Sequence, residues 1–203
     1  MEKIDFRLER RDLYAPSPGE FSVVDVPPLQ YFAVDGAGDP NTSTQYTDAV
    51  EALYAVSYAA KFASKRELGR DYVVAPLEGL WTGTREVYTE GRRDHWTWTI
   101  LIRQPDWLSD ELRAGALETA SKKELPGVPR LRFTEIAEGL SVQILHLGSY
   151  ADEAPTIARL HDEFLPEHGY VENGAHHEIY LNDPRRVEAT KLKTVLRQPV
   201  RQR

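Results

Sequence analysis

The sequence predicts an α+β protein in which helices cover one face of a mainly antiparallel sheet. Three observations lead to this class: stretches with the apolar periodicity of amphipathic helices, strand-like runs rich in aromatic and β-branched residues between them, and a motif that occurs twice. The other face of the sheet is expected to stay open. The length of 203 residues suits one domain that spans residues 1–203.

Helix and strand signals alternate along the chain. A strand is expected over residues 21–35, where apolar and polar positions alternate before a glycine loop. Apolar residues then recur at helical intervals and predict a helix over 44–65. Ser109 can cap a second helix over 110–123. A third helix is expected over 153–168, because its acidic start suits the positive end of a helix dipole.

A repeated strand motif relates the two ends of the chain. Residues 99–105 read TILIRQP, and residues 194–199 read TVLRQP, which is one residue shorter. A missing residue shifts the side-chain alternation of a strand by one position. The difference therefore predicts a bulge or an early strand end in the second copy.

The same order of features occurs in both halves, which we place at about residues 21–125 and 130–203. Each half contains a strand, a glycine loop, a helix and then a strand that carries a glutamate. The glutamate is Glu78 in the first half and Glu178 in the second. We therefore expect the two carboxylates to occupy corresponding positions.

Alternation along the strands predicts which side chains reach the open face. Trp96 and Trp98 share one face of their strand, and Glu178 shares a face with Tyr180. Ile179, between them, is apolar and suits packing against helices. We therefore expect Glu178 and Tyr180 on the open side, where aromatic rings and carboxylates would form a cleft for flat, cationic ligands.

Plainer interpretations of the same residues stay open. Tryptophans two positions apart on a strand are also typical of a protein core. A glutamate on a strand is often a solvated surface group. His176 and Glu178 share a face but lack a third ligand, so we expect no metal site.

Composition excludes several classes of function. Lys+Arg 25 against Asp+Glu 32 gives a net charge of −7, which argues against a nucleic-acid partner. No apolar run is long enough for a membrane helix, and charges throughout the first twenty residues argue against a secretory signal. The chain has no cysteine. We expect a soluble, cytoplasmic protein without membrane contact and leave its oligomeric state open.

Six segments, in order, resemble stand-alone GyrI-like small-molecule-binding proteins, and together they cover nearly the whole chain. The resemblance implies duplicated β-α-β-β units that form a curved sheet with a ligand groove opposite the helices. The same domain senses drugs in multidrug-responsive transcription regulators. The segments are VDGAGDPN (34–41), AVEALYAVSYAAKF (49–62), YVVAPLEGLWT (72–82), WTWTILIRQPDW (96–107), HHEIYLNDPRR (176–186) and KLKTVLRQP (191–199).

The resemblance also implies two functions. One is broad-specificity binding of bulky aromatic, often cationic molecules, as in drug capture and resistance, with Glu178 as the carboxylate that meets the cation. The other is hydrolysis of the cyclopropane of DNA-alkylating natural products, which some stand-alone relatives perform. Neither needs a cofactor. The expected catalytic residues are Glu78, Glu178 and Tyr180, and the expected ligand-binding residues are Tyr72, Trp81, Trp96, Trp98 and His176.

Overall fold

A computed structural model describes residues 3–82 and 95–203 of the chain, which divides into two compact units. The first unit contains the N-terminal residues up to Glu9 and Leu29–Ile136. The second contains Arg10–Pro28 and Ala137–Arg203. Each unit is therefore built from two separate stretches of sequence.

Nine strands form within the described residues, and their pairing is antiparallel in each unit. The α+β class and the mainly antiparallel sheet predicted from the sequence are confirmed. The strands are β1 (Ser22–Val26), β2 (Leu29–Ala37), β3 (Leu77–Thr82), β4 (Thr97–Gln104), β5 (Arg132–Ile136), β6 (Gly139–Leu147), β7 (Tyr170–Glu172), β8 (His176–Tyr180) and β9 (Lys193–Gln202).

The helices agree with the sequence prediction in position and differ at their ends. The second predicted helix begins where expected, since the Ser109 hydroxyl accepts a hydrogen bond from the Leu112 amide at 3.3 Å. No helix in the described part of the chain is long and apolar enough to cross a membrane. The α-helices are α1 (Phe6–Glu9), α2 (Arg11–Tyr14), α3 (Thr44–Ala63), α4 (Asp110–Ser121), α5 (Ala154–Arg159) and α6 (Leu165–Glu167), with π-helical turns at Ser64–Leu68 and Leu160–Phe164.

In the first unit the strand order is β3-β4-β2-β5, and α3 packs on one face of these strands. The ring of Tyr46 on α3 lies edge-on to Trp98 of β4, with centroids 5.3 Å apart. Further along the helix, the Gln104 amide donates to the Ser57 hydroxyl at 3.0 Å. Trp98 and Gln104 share a strand face, so this face of β4 is the one that α3 covers.

The strand predicted over residues 21–35 is two strands, β1 and β2, with Pro27 and Pro28 between them. Proline has no amide hydrogen to donate to a neighbouring strand, so the ladder is interrupted there. β1 pairs with β6 in the second unit, whereas β2 pairs with β4 and β5 in the first. The prolines therefore mark the point where the chain leaves one unit for the other.

In the second unit the strand order is β1-β6-β9-β8, and β7 pairs with the end of β9. The helical segment 154–167, which comprises α5, the second π-helical turn and α6, packs on one face of this sheet. Its Leu160 and Leu165 form an apolar cluster with Val142 of β6 and Val200 of β9. The opposite face of the sheet contacts α2, because Arg197 of β9 donates to the Leu13 carbonyl oxygen at 2.7 Å.

Neither the bulge nor the early strand end predicted in the second copy of the repeat forms, since β9 continues past the motif to Gln202. β9 pairs with β6 without interruption from Lys193, opposite Leu147, to Pro199, opposite Ser141. Its pairing with β8 is equally regular. The residue missing from the second motif therefore changes which positions correspond between the halves and leaves the ladder intact.

Gly36 on β2 provides a test of the packing in the first unit. A Cβ atom at this position would lie 2.1 Å from the Trp98 ring. We expect Gly36→Ala to destabilise the protein by about 1–3 kcal/mol, because the indole would have to leave its place against α3. Urea unfolding followed by circular dichroism measures the change.

Gly115 on α4 supplies the matched control. A Cβ atom there meets nothing within 4 Å. Gly115→Ala should therefore stabilise the protein by about 0.5–1 kcal/mol through helix propensity alone. Equal effects of the two substitutions would contradict the close approach of Gly36 to Trp98.

Candidate functional site

A cluster of polar and aromatic side chains lies on the face of β8 and β9 that meets the helical segment 154–167. We call it the Glu178 site. All its members belong to the second unit, so its geometry is internal to that unit. The members are Tyr150, Glu153, His176, Glu178, Tyr180 and Thr194.

Strand pairing places these side chains together. In an antiparallel pair, directly opposed residues project to the same face. Tyr180 lies opposite Thr194, and Glu178 lies opposite Leu196, which in turn opposes Ile144 of β6. Ile144 alternates with Val142 of the apolar cluster below the helical segment, so Glu178 and Tyr180 face that segment.

Glu178 is a partly desolvated carboxylate beside phenol rings. The Tyr180 hydroxyl donates to its Oε2 at 2.8 Å, and His176 Nε2 lies 3.9 Å from its Oε1. Only 15% of the Glu178 side chain is exposed. The Tyr150 ring lies edge-on to that of Tyr180, with centroids 5.5 Å apart. A carboxylate next to aromatic faces is chemistry that suits an organic cation.

Glu153, at the start of α5, is the second carboxyl group of the site. It is only 3% exposed. Burial, and secondly the negative charge of Glu178, raise the pKa of Glu153 to about 9, against a smaller opposing effect of the Thr194 hydroxyl. The raised pKa favours the protonated carboxyl group of Glu153 at neutral pH.

Three polar groups of the site are poorly satisfied. The Thr194 hydroxyl lies near the Glu153 carboxyl group, and Gln198 lies near the His176 ring, but Oε1 of Glu153, Oγ1 of Thr194 and the ring nitrogens of His176 make no hydrogen bond of normal geometry among the described residues. Burial, followed by the charges of His161 and His177, lowers the pKa of His176 to about 3, so its ring is neutral. Buried polar groups are costly unless something binds them.

The predicted orientation of Glu178 and Tyr180 is wrong: they face the helical segment, and Ile179 projects from the opposite side of β8. The expectation assumed that only one face of the sheet is covered. In the second unit both faces of the sheet are covered. The face that carries Ile179 and His177 contacts α2 and a buried ion-pair network. An apolar residue such as Ile179 therefore does not identify the helix-covered face.

That network is structural. Glu138 accepts a hydrogen bond from Arg197 at 3.0 Å and lies 2.9 Å from His177 Nδ1. Although burial opposes it, the charges and hydrogen bonds of His177 and Arg197 lower the pKa of Glu138 to about 2. Gln143 completes the group, since its amide donates to the Asp12 carbonyl oxygen at 2.6 Å. These contacts fix α2 against the sheet.

Glu78 and Glu178 do not occupy equivalent positions in the two units. Glu78 lies opposite Leu101 on β4, and these residues alternate with Trp98, which meets α3. Glu78 therefore faces away from the helix of its unit, whereas Glu178 faces the helical segment of its own. The expectation that the repeat pairs the two glutamates is wrong, because the glutamates lie on opposite strand faces.

The predicted aromatic residues of the first unit form two groups. Trp81 lies opposite Trp98 on the strand ladder, and its ring is edge-on to Trp96 with centroids 5.4 Å apart. The Trp98 ring donates to the Gly38 carbonyl oxygen at 3.2 Å and is almost fully buried. Trp98 thus lies on the opposite face from Glu78, so these two residues do not share the expected cleft of aromatic rings and carboxylates. Its role in ligand binding stays a prediction.

Tyr72 lies in the second group, away from these tryptophans. Its ring packs against Phe6 and Trp107, with centroids 6.1 and 6.0 Å apart respectively. Its hydroxyl donates to Gln104 Oε1 at 3.3 Å. The residue is fully buried in the core of the first unit.

Glu153 is the site residue that the sequence did not reveal. An acidic residue before a helix ordinarily lies at the surface and interacts with the helix dipole. The sequence analysis therefore had no reason to expect a buried carboxyl group at this position. The burial of Glu153 depends on how the helical segment seats on β8 and β9. Among the described residues, no three His, Asp or Glu side chains come together in a way that could hold a metal ion.

Comparison with known proteins defines the family. The model of the GyrI-like small molecule binding domain matches residues 19–201. The chain belongs to this family and is a small-molecule-binding domain protein. No curated protein matches it.

Two solved structures from Listeria innocua are similar to this chain over 98% of its length and 100% of theirs. One is an uncharacterized conserved protein, 38% identical with a TM-score of 0.87. The other is a hydrolase, 37% identical with a TM-score of 0.84. The EcmrR C-terminal domain shares the fold at 9% identity, with a TM-score of 0.56 over 91% of this chain and 98% of that domain.

The protonation of Glu153 predicts how one substitution changes with pH. Its folded pKa lies above the unfolded value of about 4.3, so the folded state holds a proton that the unfolded state releases. Wild-type stability should therefore fall by about 1.4 kcal/mol per pH unit between those two pKa values, and glutamine at this position removes that loss. The stability of Glu153→Gln relative to wild type should increase from pH 5 to pH 8 in urea unfolding.

Glu163→Gln is the control, because Glu163 lies exposed on the same helical segment. Its stability relative to wild type should be nearly independent of pH. A Glu153→Gln variant with the same relative stability at both pH values would show that Glu153 is ionised in the folded protein.

Proposed function

We propose that this protein binds aromatic organic cations at the Glu178 site. The observation that carries the proposal is the Glu178 carboxylate itself, which is mostly removed from water and lies beside the rings of Tyr150 and Tyr180. The family is one of small-molecule-binding domains, which supports a ligand of this size. The resemblance to drug-sensing domains supports the cationic class and a role in drug capture.

The physical argument rests on desolvation. A carboxylate that is largely removed from water attracts a cation more strongly than an exposed one, because less solvent screens the two charges. The faces of tyrosine rings add a quadrupole attraction of about 0.5–2 kcal/mol to a cation that lies over them. Because neither interaction requires a fixed hydrogen-bond pattern, a site of this kind accepts cations of different shapes.

A second function, hydrolysis of an electrophilic cyclopropane, is favoured by the two protonation states in the site. Glu178 can act as a base and protonated Glu153 as an acid, an arrangement typical of acid–base catalysis by two carboxyl groups. A hydrolase is among the relatives at 37% identity. The sequence analysis expected Glu78 and Tyr180 as the other catalytic residues beside Glu178, and either could have supplied the acid. We now propose Glu153.

The reaction balances with these groups alone. Glu178 takes a proton from water as the water oxygen forms a bond to a cyclopropane carbon. The broken carbon–carbon bond gives its electron pair to the conjugated carbonyl, which accepts the proton of Glu153. The product contains one added water, and proton exchange with solvent restores both carboxyl groups.

Glu178→Gln tests cation binding, since it preserves size and removes the charge. We expect affinity for N-methylacridinium to fall by about 1.5–3 kcal/mol, roughly ten- to more than a hundredfold, because a charge-assisted interaction is lost. Binding of neutral acridine at about pH 8 should change much less. Isothermal titration calorimetry measures both ligands.

Glu163→Gln again supplies the control, because it removes one exposed negative charge from the same unit. It should leave both affinities unchanged. If Glu178→Gln weakens acridine and N-methylacridinium equally, the carboxylate shapes the site without attracting the cation.

The hydrolase function makes a separate prediction for the same substitution. Glutamine cannot accept a proton from water, so Glu178→Gln should lower turnover of a cyclopropane-bearing alkylator by roughly 10²- to 10⁴-fold while affinity for this neutral substrate persists. Mass spectrometry of the hydrated product measures the rate. Wild-type protein that binds the alkylator and yields no hydrated product would contradict the hydrolase and leave cation binding intact.

A further inference from the structure

The site contains one more ionisable group than cation binding by Glu178 requires. Glu153 is almost fully buried, and its Oε1 has no hydrogen bond of normal geometry among the described residues. Thr194, on β9, is completely buried, and its hydroxyl lies near the Glu153 carboxyl group without reaching that geometry. Two buried polar groups that satisfy each other this poorly leave hydrogen-bonding capacity for a ligand.

We infer that Glu153 gives up its proton when an aromatic cation binds at Glu178, so that capture of the cation is coupled to release of a proton. The inference rests on the proposed function and specifies how the same site responds to the charge of its ligand. According to this inference, Glu153 is the residue through which binding of cationic and of neutral ligands depends differently on pH.

Three changes on binding favour ionisation of Glu153. A bound cation offsets the negative charge of Glu178, which is one of the two causes that keep Glu153 protonated. The cation also attracts the second carboxylate directly. The Thr194 hydroxyl can donate to the ionised Glu153 oxygen. Burial alone opposes the change, and it remains in the complex.

The titratable groups near Glu153 among the described residues lie on the elements that pack against it. On β8 they include Glu178 and His176, whose ring is neutral because burial lowers its pKa. The Tyr180 hydroxyl on β8 donates a hydrogen bond to Glu178. His146 on β6 lies opposite Thr194 and is bonded through Nε2 to the Ser149 carbonyl oxygen at 3.1 Å. Asp152, next in the chain, is exposed and accepts from the Ser149 hydroxyl at 2.6 Å.

A neutral ligand should produce the opposite response. It leaves the charge of Glu178 in place, and the protonated Glu153 can donate to a carbonyl or ring nitrogen of the ligand. Binding then needs the proton that cation binding expels. One site can therefore accept both classes of ligand, with affinities that depend on pH in different ways.

Calorimetry of N-methylacridinium near neutral pH, in phosphate and in Tris, measures the coupling, because the two buffers have very different enthalpies of ionisation. We expect wild-type protein to release about one proton for each cation bound. Glu153→Gln should release none, whereas His146→Gln and Glu163→Gln should behave as wild type does. Acridine, neutral under the same conditions, should release no proton.

A second measurement needs no variant. N-methylacridinium has a fixed charge, so any dependence of its affinity on pH belongs to the protein. The affinity of wild-type protein should rise up to tenfold for each pH unit while Glu153 is protonated in the free protein and ionised in the complex. A flat profile from about pH 6 to pH 9 would overturn the coupling.

The outcomes separate the two claims. Cation binding without proton release overturns the inference and leaves the proposed function standing. Proton release that persists in Glu153→Gln assigns the proton to another group and also overturns the inference. Acridine binding without any binding of N-methylacridinium overturns both the inference and the proposed function.

Discussion

Side-chain alternation along antiparallel strands is the constraint on which both units depend. In the second unit the two faces of the sheet are both covered, one by the helical segment 154–167 and the other by α2 with its buried ion pairs. A shift of one residue along β8 would exchange Glu178 for Ile179 and bring a carboxylate against the network of Glu138 and Arg197. His177 and Ile179 suit the face of the network, and Glu178 and Tyr180 suit the face of the helical segment, so these preferences together keep β8 in register. The position of every residue in the Glu178 site follows from that register.

The site and the ion-pair network show two outcomes of burying a carboxyl group. Glu138 stays ionised because Arg197 and His177 contact it from two sides. Among the described residues, burial has the largest effect on Glu153, the negative charge of Glu178 acts in the same direction, and the Thr194 hydroxyl opposes them weakly, so the group keeps its proton. The first arrangement stabilises the fold in the absence of a ligand. The arrangement around Glu153 leaves hydrogen bonds that a ligand could make, and this is more typical of a binding site than of a protein core.

Much of the fold could be predicted from the sequence, whereas the face of the sheet on which the site residues lie could not. Helical periodicity located the three main helices, and the Ser109 cap lies where its residue type indicates. The six motif segments identified the family correctly. Alternation showed that Glu178 and Tyr180 share a face, but it could not show which face, because residues on both sides of β8 are buried. The apparent equivalence of Glu78 and Glu178 failed for the same reason: order along the chain does not determine which side of a strand a residue occupies. The burial of Glu153 depends on tertiary packing, for which no local pattern exists.

The strand exchange at Pro27 and Pro28 affects how the chain can fold during its synthesis. The N-terminal strand β1 finds its partner β6 only after more than half of the protein has been made, since β6 begins at Gly139. Until then the backbone amide and carbonyl groups of β1 lack their partner strand, and unpaired strand edges can pair wrongly. The second unit also takes α2 from the N-terminal region, so a fragment that contains only residues 137–203 would lack both. Because each unit combines two separate stretches of sequence, no single cut in the chain separates one unit from the other.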